Sequence, residues 1–263
     1  MGVVGHVSGL FRYPVKSMQG ERVERLALGT AGATGDRLFG VVDVVTGKVL
    51  SAKRTAALLD ATASFDARAG AVTISLPGGA AFDARDPAAD TAISDWLGRE
   101  VRLMSPSPDA TAYELLMDPV DDSSEVWDFA TPPGSLVDLA AVHLLTTASL
   151  AAISAVAPDA SWSVDRFRPT ALVDTGQADG FVEDAWVGGA VQVGASVVDV
   201  FMATPRCSLP PRAQSVKGLG RDTAVSHALR DHHENNLGVY CSVATPGVIA
   251  VGDPVSIETN RAI

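Results

Sequence analysis

Cys207 stands in Thr204-Pro205-Arg206-Cys207-Ser208, directly after the alternating apolar run Val197 to Met202. A lone thiol on a loop leaving a strand, with an arginine beside it, reads as a thiolate site. A neighbouring cation favours the ionised sulfur, which is the form that attacks or binds metal. Other basic residues sit in equally unusual places. Lys16 ends an apolar strand in Tyr13-Pro14-Val15-Lys16-Ser17, where solubility does not require it. Arg37 lies in Gly35-Asp36-Arg37, and Arg166 and Arg168 flank Phe167 just before Pro169. Two readings are open. The cations converge on an anionic ligand, which the planar fork of arginine suits. Alternatively each pairs with a local carboxylate, Asp36 for Arg37 and Asp165 for Arg166.

The chain around these residues has 263 residues, 47% hydrophobic and 19% charged, so it can bury a sizeable core in one large domain or two small ones. With 31 acidic against 20 basic residues the net charge is −11. That excludes the basic footprint a nucleic-acid or anionic-membrane partner needs. Two cysteines, Cys207 and Cys241, make no disulfide framework in a chain this long, and a reducing compartment is the expectation. No basic segment leads into a long apolar one near Met1, and no stretch approaches the ~18 apolar residues of a membrane span. The expectation is a cytoplasmic protein without a membrane partner.

The positioning elements are mostly strands in the first hundred residues. His6 to Tyr13 and Val23 to Leu28 read as strands. Leu38 to Val45 and Lys48 to Ala52 read as a hairpin about Thr46-Gly47, and Ala61 to Asp66 and Ala71 to Leu76 as another. Short strands with glycine turns suggest a barrel or sandwich. One helix interrupts them, Pro87 to Leu97, stopped by Gly98. Ser105-Pro106-Ser107-Pro108-Asp109 reads as a linker and Asp118 to Glu125 as an acidic loop, which places a boundary near residue 105, between units 1–105 and 106–263. Beyond it, Thr147 to Val156 reads as a helix. Thr170 to Asp174, Val191 to Val193 and Ser196 to Met202 read as strands. Asp222 reads as the N-cap of a helix to about His233. Val239 to Ala244 and Val248 to Val251 are expected to pair around Thr245-Pro246-Gly247, and Val255 to Glu258 to close the chain. The fold class expected is mainly β with some α.

Taken as a set, these segments resemble the MOSC family, named for the C-terminal domain of molybdenum-cofactor sulfurase. The likeness is to its two-part members, typified by the mitochondrial amidoxime-reducing component and its bacterial relatives. Tyr13 to Ser17 is similar to the family's Tyr-Pro-Val-Lys-Ser opening, and Asp36-Arg37-Leu38 to its Asp-Arg-Phe/Leu. Phe167-Arg168-Pro169-Thr170 stands where the family has Phe-Arg-Pro-Asn, and Arg206-Cys207 is its Arg-Cys pair. Gly238-Val239-Tyr240 and Pro246 to Val255 match its closing segments. The resemblance implies an N-terminal β-barrel domain followed by a β-barrel MOSC domain with flanking helices.

It also implies a molybdenum cofactor (molybdopterin) held by one protein sulfur, that of Cys207, which would be both metal ligand and catalytic residue. A soft thiolate is a suitable donor to such a centre. Lys16, Ser17, Arg37 and Arg168 match family positions that hold the cofactor. Asp138, Arg206 and Tyr240 fall at matching positions. Arg166 is added from its charge and placement alone. Thr170 replaces the family's asparagine and loses an amide donor. The stretch after Cys207 also departs from the family's Thr and Asp, which bears on substrate class. The implied activity is reduction of N-hydroxylated compounds, a small-molecule substrate class. The chain has no cysteine set for an iron–sulfur cluster and no strand–GxGxxG–helix unit, so the electrons would come from a separate flavin or iron–sulfur reductase. Two other readings are a carrier, with Cys207 holding a persulfide or the protein delivering the cofactor, and a non-catalytic binding protein. Cys241 reads as a buried thiol, His143 as a core histidine, and the acidic run as a solvated loop or a docking surface for the electron donor.

Overall fold

In a computed structural model, which describes residues 2–118 and 120–257, the first half forms β1 (Gly2–Arg12), β2 (Glu21–Val23), β3 (Arg25–Gly29), β4 (Gly32–Ala33), β5 (Gly40–Asp43), β6 (Thr62–Asp66), β7 (Ala71–Ser75), β8 (Ala81–Asp83), α1 (Pro87–Leu97) and β9 (Val101–Met104). The second half forms β10 (Ala112–Leu116), β11 (Val126–Ala130), β12 (Val142–Thr146), α2 (Thr147–Val156), β13 (Ala171–Asp174), β14 (Ala190–Val193), β15 (Ser196–Pro205), α3 (Ala224–His232), β16 (Asn236–Thr245), β17 (Gly247–Ala250) and β18 (Pro254–Ile257).

Alternating valines build the larger unit. Val191 and Val193, Val198 and Val200, and Val239, Cys241 and Val243 all point into one core with Val142, Leu144, Val173 and Val255. That period of two is what a half-buried strand requires. The strands run in the order β13-β12-β16-β15-β14-β18-β1, and β13 pairs back to β1, so seven strands close a barrel and leave no free edge. All its pairings are antiparallel except β12 with β13. β1 closes the ring from before the division expected near residue 105. Its first residues pair with β18, its middle with β13 and its end with β2. Gly5 sits where the ladder shifts register, and a Cβ there would collide with the Asp174 carbonyl.

The smaller unit packs β5 on β9 and the meander β6-β7-β8 against α1 around Val41, Leu58, Val72, Ile74 and Ile93. The expected bounds of α1 hold: Asp86 accepts from Ala88 N at 2.9 Å, Pro87 fills the first turn, and Gly98 ends it at φ 64°. Asp86→Ala should cost about 1 kcal/mol of stability, read as a lower urea midpoint with an unchanged slope. α2 also has its expected span, capped by Thr146, whose hydroxyl accepts from Ser149 N at 3.1 Å.

Several elements differ from the sequence reading. The first hairpin forms only in part. The chain turns at Thr46-Gly47 and returns antiparallel through one bridge, Val49 to Val42. Asp43 N donates to Lys48 O at 3.0 Å and Leu50 N to Val41 O at 2.7 Å, while β5 pairs along its whole length with β9 on its other edge. The closing hairpin does not form. β16 pairs with β15 along most of its length and with β12 over Val239–Cys241, and β17 pairs instead with β3. α3 starts after Thr223, although Asp222 does accept from Ala224 N at 3.0 Å. The acidic loop is the turn of an unforeseen hairpin, β10 with β11. Glu258, expected to end the last strand, lies outside the described residues.

Candidate functional site

Between the barrel and the smaller unit lies a cleft open to solvent and lined by Lys16, Ser17, Arg37, Asp138, Arg168, Thr170, Arg206, Cys207 and Tyr240, with about 90 Å³ of enclosed space. Nine of the ten residues singled out from the sequence therefore converge. In a chain of net charge −11, four cations face this cavity with a single carboxylate.

Each is held by a distinct local device. Lys16 follows the turn after β1, where its N–H donates to Phe39 O at 2.8 Å. Its buried ammonium donates to Leu136 O at 2.8 Å and pairs with Asp138. Lys53, also buried, donates to the other oxygen of Asp138 at 2.6 Å. Burial alone would raise Asp138, but the two lysines outweigh it and hold the carboxyl far below the carboxylate range. Burial pulls Lys16 down, and Asp138 only partly offsets this. For Lys53 the attraction of Asp138 wins over burial, and the ammonium is firmly charged.

Arg37 and Arg168 lie on opposite segments with Tyr13 between them, their guanidinium carbons 4.9 Å and 4.0 Å from its ring centroid. Arg37 also pairs with Asp36, so both sequence readings hold for it: it has a local carboxylate and it lines the cavity. Burial lowers Arg168 to about 10, which leaves it charged at neutral pH. Arg206 donates to Phe167 O at 3.0 Å, and its N–H donates to Asn235 O at 2.8 Å. Ser17 Oγ accepts from Ala52 N at 2.9 Å. Thr170 Oγ1 accepts from His143 N at 3.1 Å, so its hydroxyl stitches β12 to β13 where a longer amide would project further.

Strain marks the same place. Among the described residues, five that are not glycine have positive φ: Ser17, Arg37, Arg168, Glu234 and Asn235. Three line the cavity, and Asn235 clasps Arg206 through backbone and side chain. Such conformations persist where the surroundings over-determine them, commonly at functional sites.

Arg166 is a correction. It is 1% exposed and does not reach the cavity. Its guanidinium donates to the carbonyls of Ser161, Pro210, Arg212 and Gly220 and does not pair with Asp165, which binds Lys217. It is a clamp for the loop after Cys207. The sequence reading missed Lys53 and Tyr113. Lys53 carries the same signal as Lys16, a lysine at the end of an apolar run, Val49-Leu50-Ser51-Ala52. His143 is buried and drawn down to about 3 by burial and by Arg206, so it is neutral. It stacks edge-on to Tyr240 at 5.6 Å. Gly238, at φ 79°, leaves room for its ring, which a Cβ would strike. Cys241 is buried in the barrel core.

The donor set fits an anionic cofactor. Arg168 Nη1 and Arg206 Nε are buried without a partner among the described residues, a costly state that a polar ligand would relieve. Among the described residues no three His, Cys, Asp or Glu gather to hold a bare metal ion, so a metal at Cys207 would need its other donors from a cofactor. No helix there is long and apolar enough to cross a membrane.

Comparison with known proteins places this architecture in a class. Residues 4–110 match the MOSC N-terminal beta barrel domain and residues 133–256 the MOSC domain. The chain therefore belongs to the MOSC family, a family associated with molybdenum-cofactor binding. Its fold is similar to that of the YuaD protein from Bacillus subtilis, at 11% identity over 98% of this chain and 97% of that one, with a TM-score of 0.50. YiiM from Geobacillus stearothermophilus aligns at 16% identity over 45% of this chain and 54% of its own, with a TM-score of 0.34. No curated protein matches the chain in sequence.

Proposed function

We propose that this protein is a molybdenum-cofactor-binding oxidoreductase that reduces N-hydroxylated compounds with electrons from a separate reductase. The observation that carries the reading is the position of Cys207. It is the one thiol lining the described cavity, and Lys16, Arg37, Arg168 and Arg206 line the same cavity. The bound cofactor would supply the two-electron exchange. The chain's own residues do the rest. Cys207 offers a thiolate donor. The two unpartnered arginine nitrogens offer hydrogen bonds, and Lys16 and Arg37 offer charge to phosphate. Asp138 keeps Lys16 and Lys53 in place without being protonated itself.

Reduction of an N–OH group to N–H releases water and consumes two electrons and two protons. Burial raises Tyr240, so its hydroxyl remains protonated at neutral pH and can donate at the departing oxygen. His143 is neutral and does not add a charge there.

Produced in a host that makes the cofactor, the purified chain should hold about one molybdenum per chain by elemental analysis. It should also reduce benzamidoxime with an artificial electron donor. A chain that stays metal-free in that host overturns the reading, and sulfane sulfur on Cys207 in its place would favour the carrier.

A further inference from the structure

A second cavity, of about 350 Å³, adjoins the first and shares Asp138, Leu139, Pro205, Arg206, Cys207 and Tyr240 with it. Its character is opposite. Away from the shared floor its wall is Leu115, Leu116, Met117, Phe129 and Ala130, all from or beside the β10–β11 hairpin. Lys53 and Tyr113 stand at the inner end, where the Lys53 ammonium lies 4.5 Å from the Tyr113 ring centroid. The cavity thus grades from charged beside Cys207 to apolar outside. Its size is that of a small-molecule site, about 300–1,000 Å³.

The hairpin belongs to residues 111–132, which neither MOSC segment includes. It is latched on both sides. Lys48 bonds Glu114 at 3.3 Å and Asp128 at 2.8 Å, and Asp122 in the turn meets Arg212 at 2.6 Å and Arg221 at 2.8 Å. The acidic run is therefore tied to this chain's own arginines. Yet Phe129 is 38% exposed, and Met117 and Leu139 are also exposed around the same concavity. Apolar side chains held in that way on a pocket rim want a ligand's apolar body.

We infer that the β10–β11 hairpin is the specificity wall of this site and selects substrates with a flat apolar body, their polar end directed to Cys207. This rests on the reading of Cys207 as the reacting end. The occupant is a small molecule, because the apolar face lines a concavity whose floor is continuous with the charged cavity.

The test is calorimetric binding of two probes to the full chain, benzamidoxime and the compact, polar hydroxyurea. Benzamidoxime should bind at least about tenfold more tightly, and Phe129→Ser or Leu115→Ser should remove about tenfold of that affinity, as expected for burial of one large apolar side chain. Hydroxyurea binding and molybdenum content should not move. Phe129→Ser should melt close to the parent, whereas Leu115→Ser should melt lower because Leu115 packs on the cluster of Val42, Tyr113 and Leu136. Equal binding of the two probes, or hairpin variants that weaken both alike, would overturn the inference. A metal-free chain that still prefers benzamidoxime through Phe129 would sink the cofactor reading and leave this assignment standing.

Discussion

Cys207→Ala is expected to fold like the parent and to carry no molybdenum. The side chain is only partly buried, packing on Ala52, Leu59 and Leu209 at the loop after β15. Truncating it should cost about 1 kcal/mol, the ordinary scale of a point change. No other group can take over the metal. Cys241 is sealed in the barrel core, and burial pushes its thiol well above the usual range. Loss of a direct ligand should exceed the effect of losing an outer-shell partner, so reductase activity should fall by on the order of 10² or more. Elemental analysis beside a melting curve separates the two effects. A variant that keeps stoichiometric metal would show that Cys207 is not the ligand.

Asp138→Asn should be the most damaging change to the charge network. The carboxylate joins two ammonium groups that the fold has already removed from water, Lys16 and Lys53. Removing one partner of a buried pair typically costs 3–5 kcal/mol, because the remaining charge is left uncompensated. The Asp138 side chain is itself 36% exposed, and water there reduces the loss to about 2–3 kcal/mol. The pH dependence has a definite sign. A carboxyl whose folded pKa is depressed adds stability that is fully present above its unfolded value of about 4 and is lost as pH falls through the depressed one. The gap between parent and variant in urea unfolding should therefore be widest near neutrality and shrink below about pH 4. A gap that stays constant through acid would show that the carboxylate charge is not what stabilises the site.

Much of this site was legible because its residues are out of place in a linear reading. Lys16, Arg37, Arg168 and Cys207 each sit in a connection next to a strand, where neither solubility nor packing calls for them. What the sequence could not show depends on closure in three dimensions. Arg166 and Arg168 look equivalent on either side of Phe167. A short turn over Val164–Arg166 and the left-handed backbone of Arg168 send one into a carbonyl cage and the other to the cavity. Lys53 meets Asp138 across a separation of 85 residues, which no local pattern reports. The barrel strands were readable from alternating valines, but not the fate of β17. Its partner is β3, at the other end of the sequence, and no local pattern reports that pairing.

The seam at β1 also constrains how the molecule comes into being. Gly2 to His6 must wait for Pro254 to Ile257, at the far end of the ring's sequence, before their hydrogen bonds exist. Such distant pairing is slow, because loop closure must be achieved before any contact rewards it. The smaller unit, made of nearby segments around Val41 and Ile74, can consolidate while the rest is still being synthesised. During that interval an apolar strand remains unpaired, so vectorial synthesis exposes this protein to misassociation along β1.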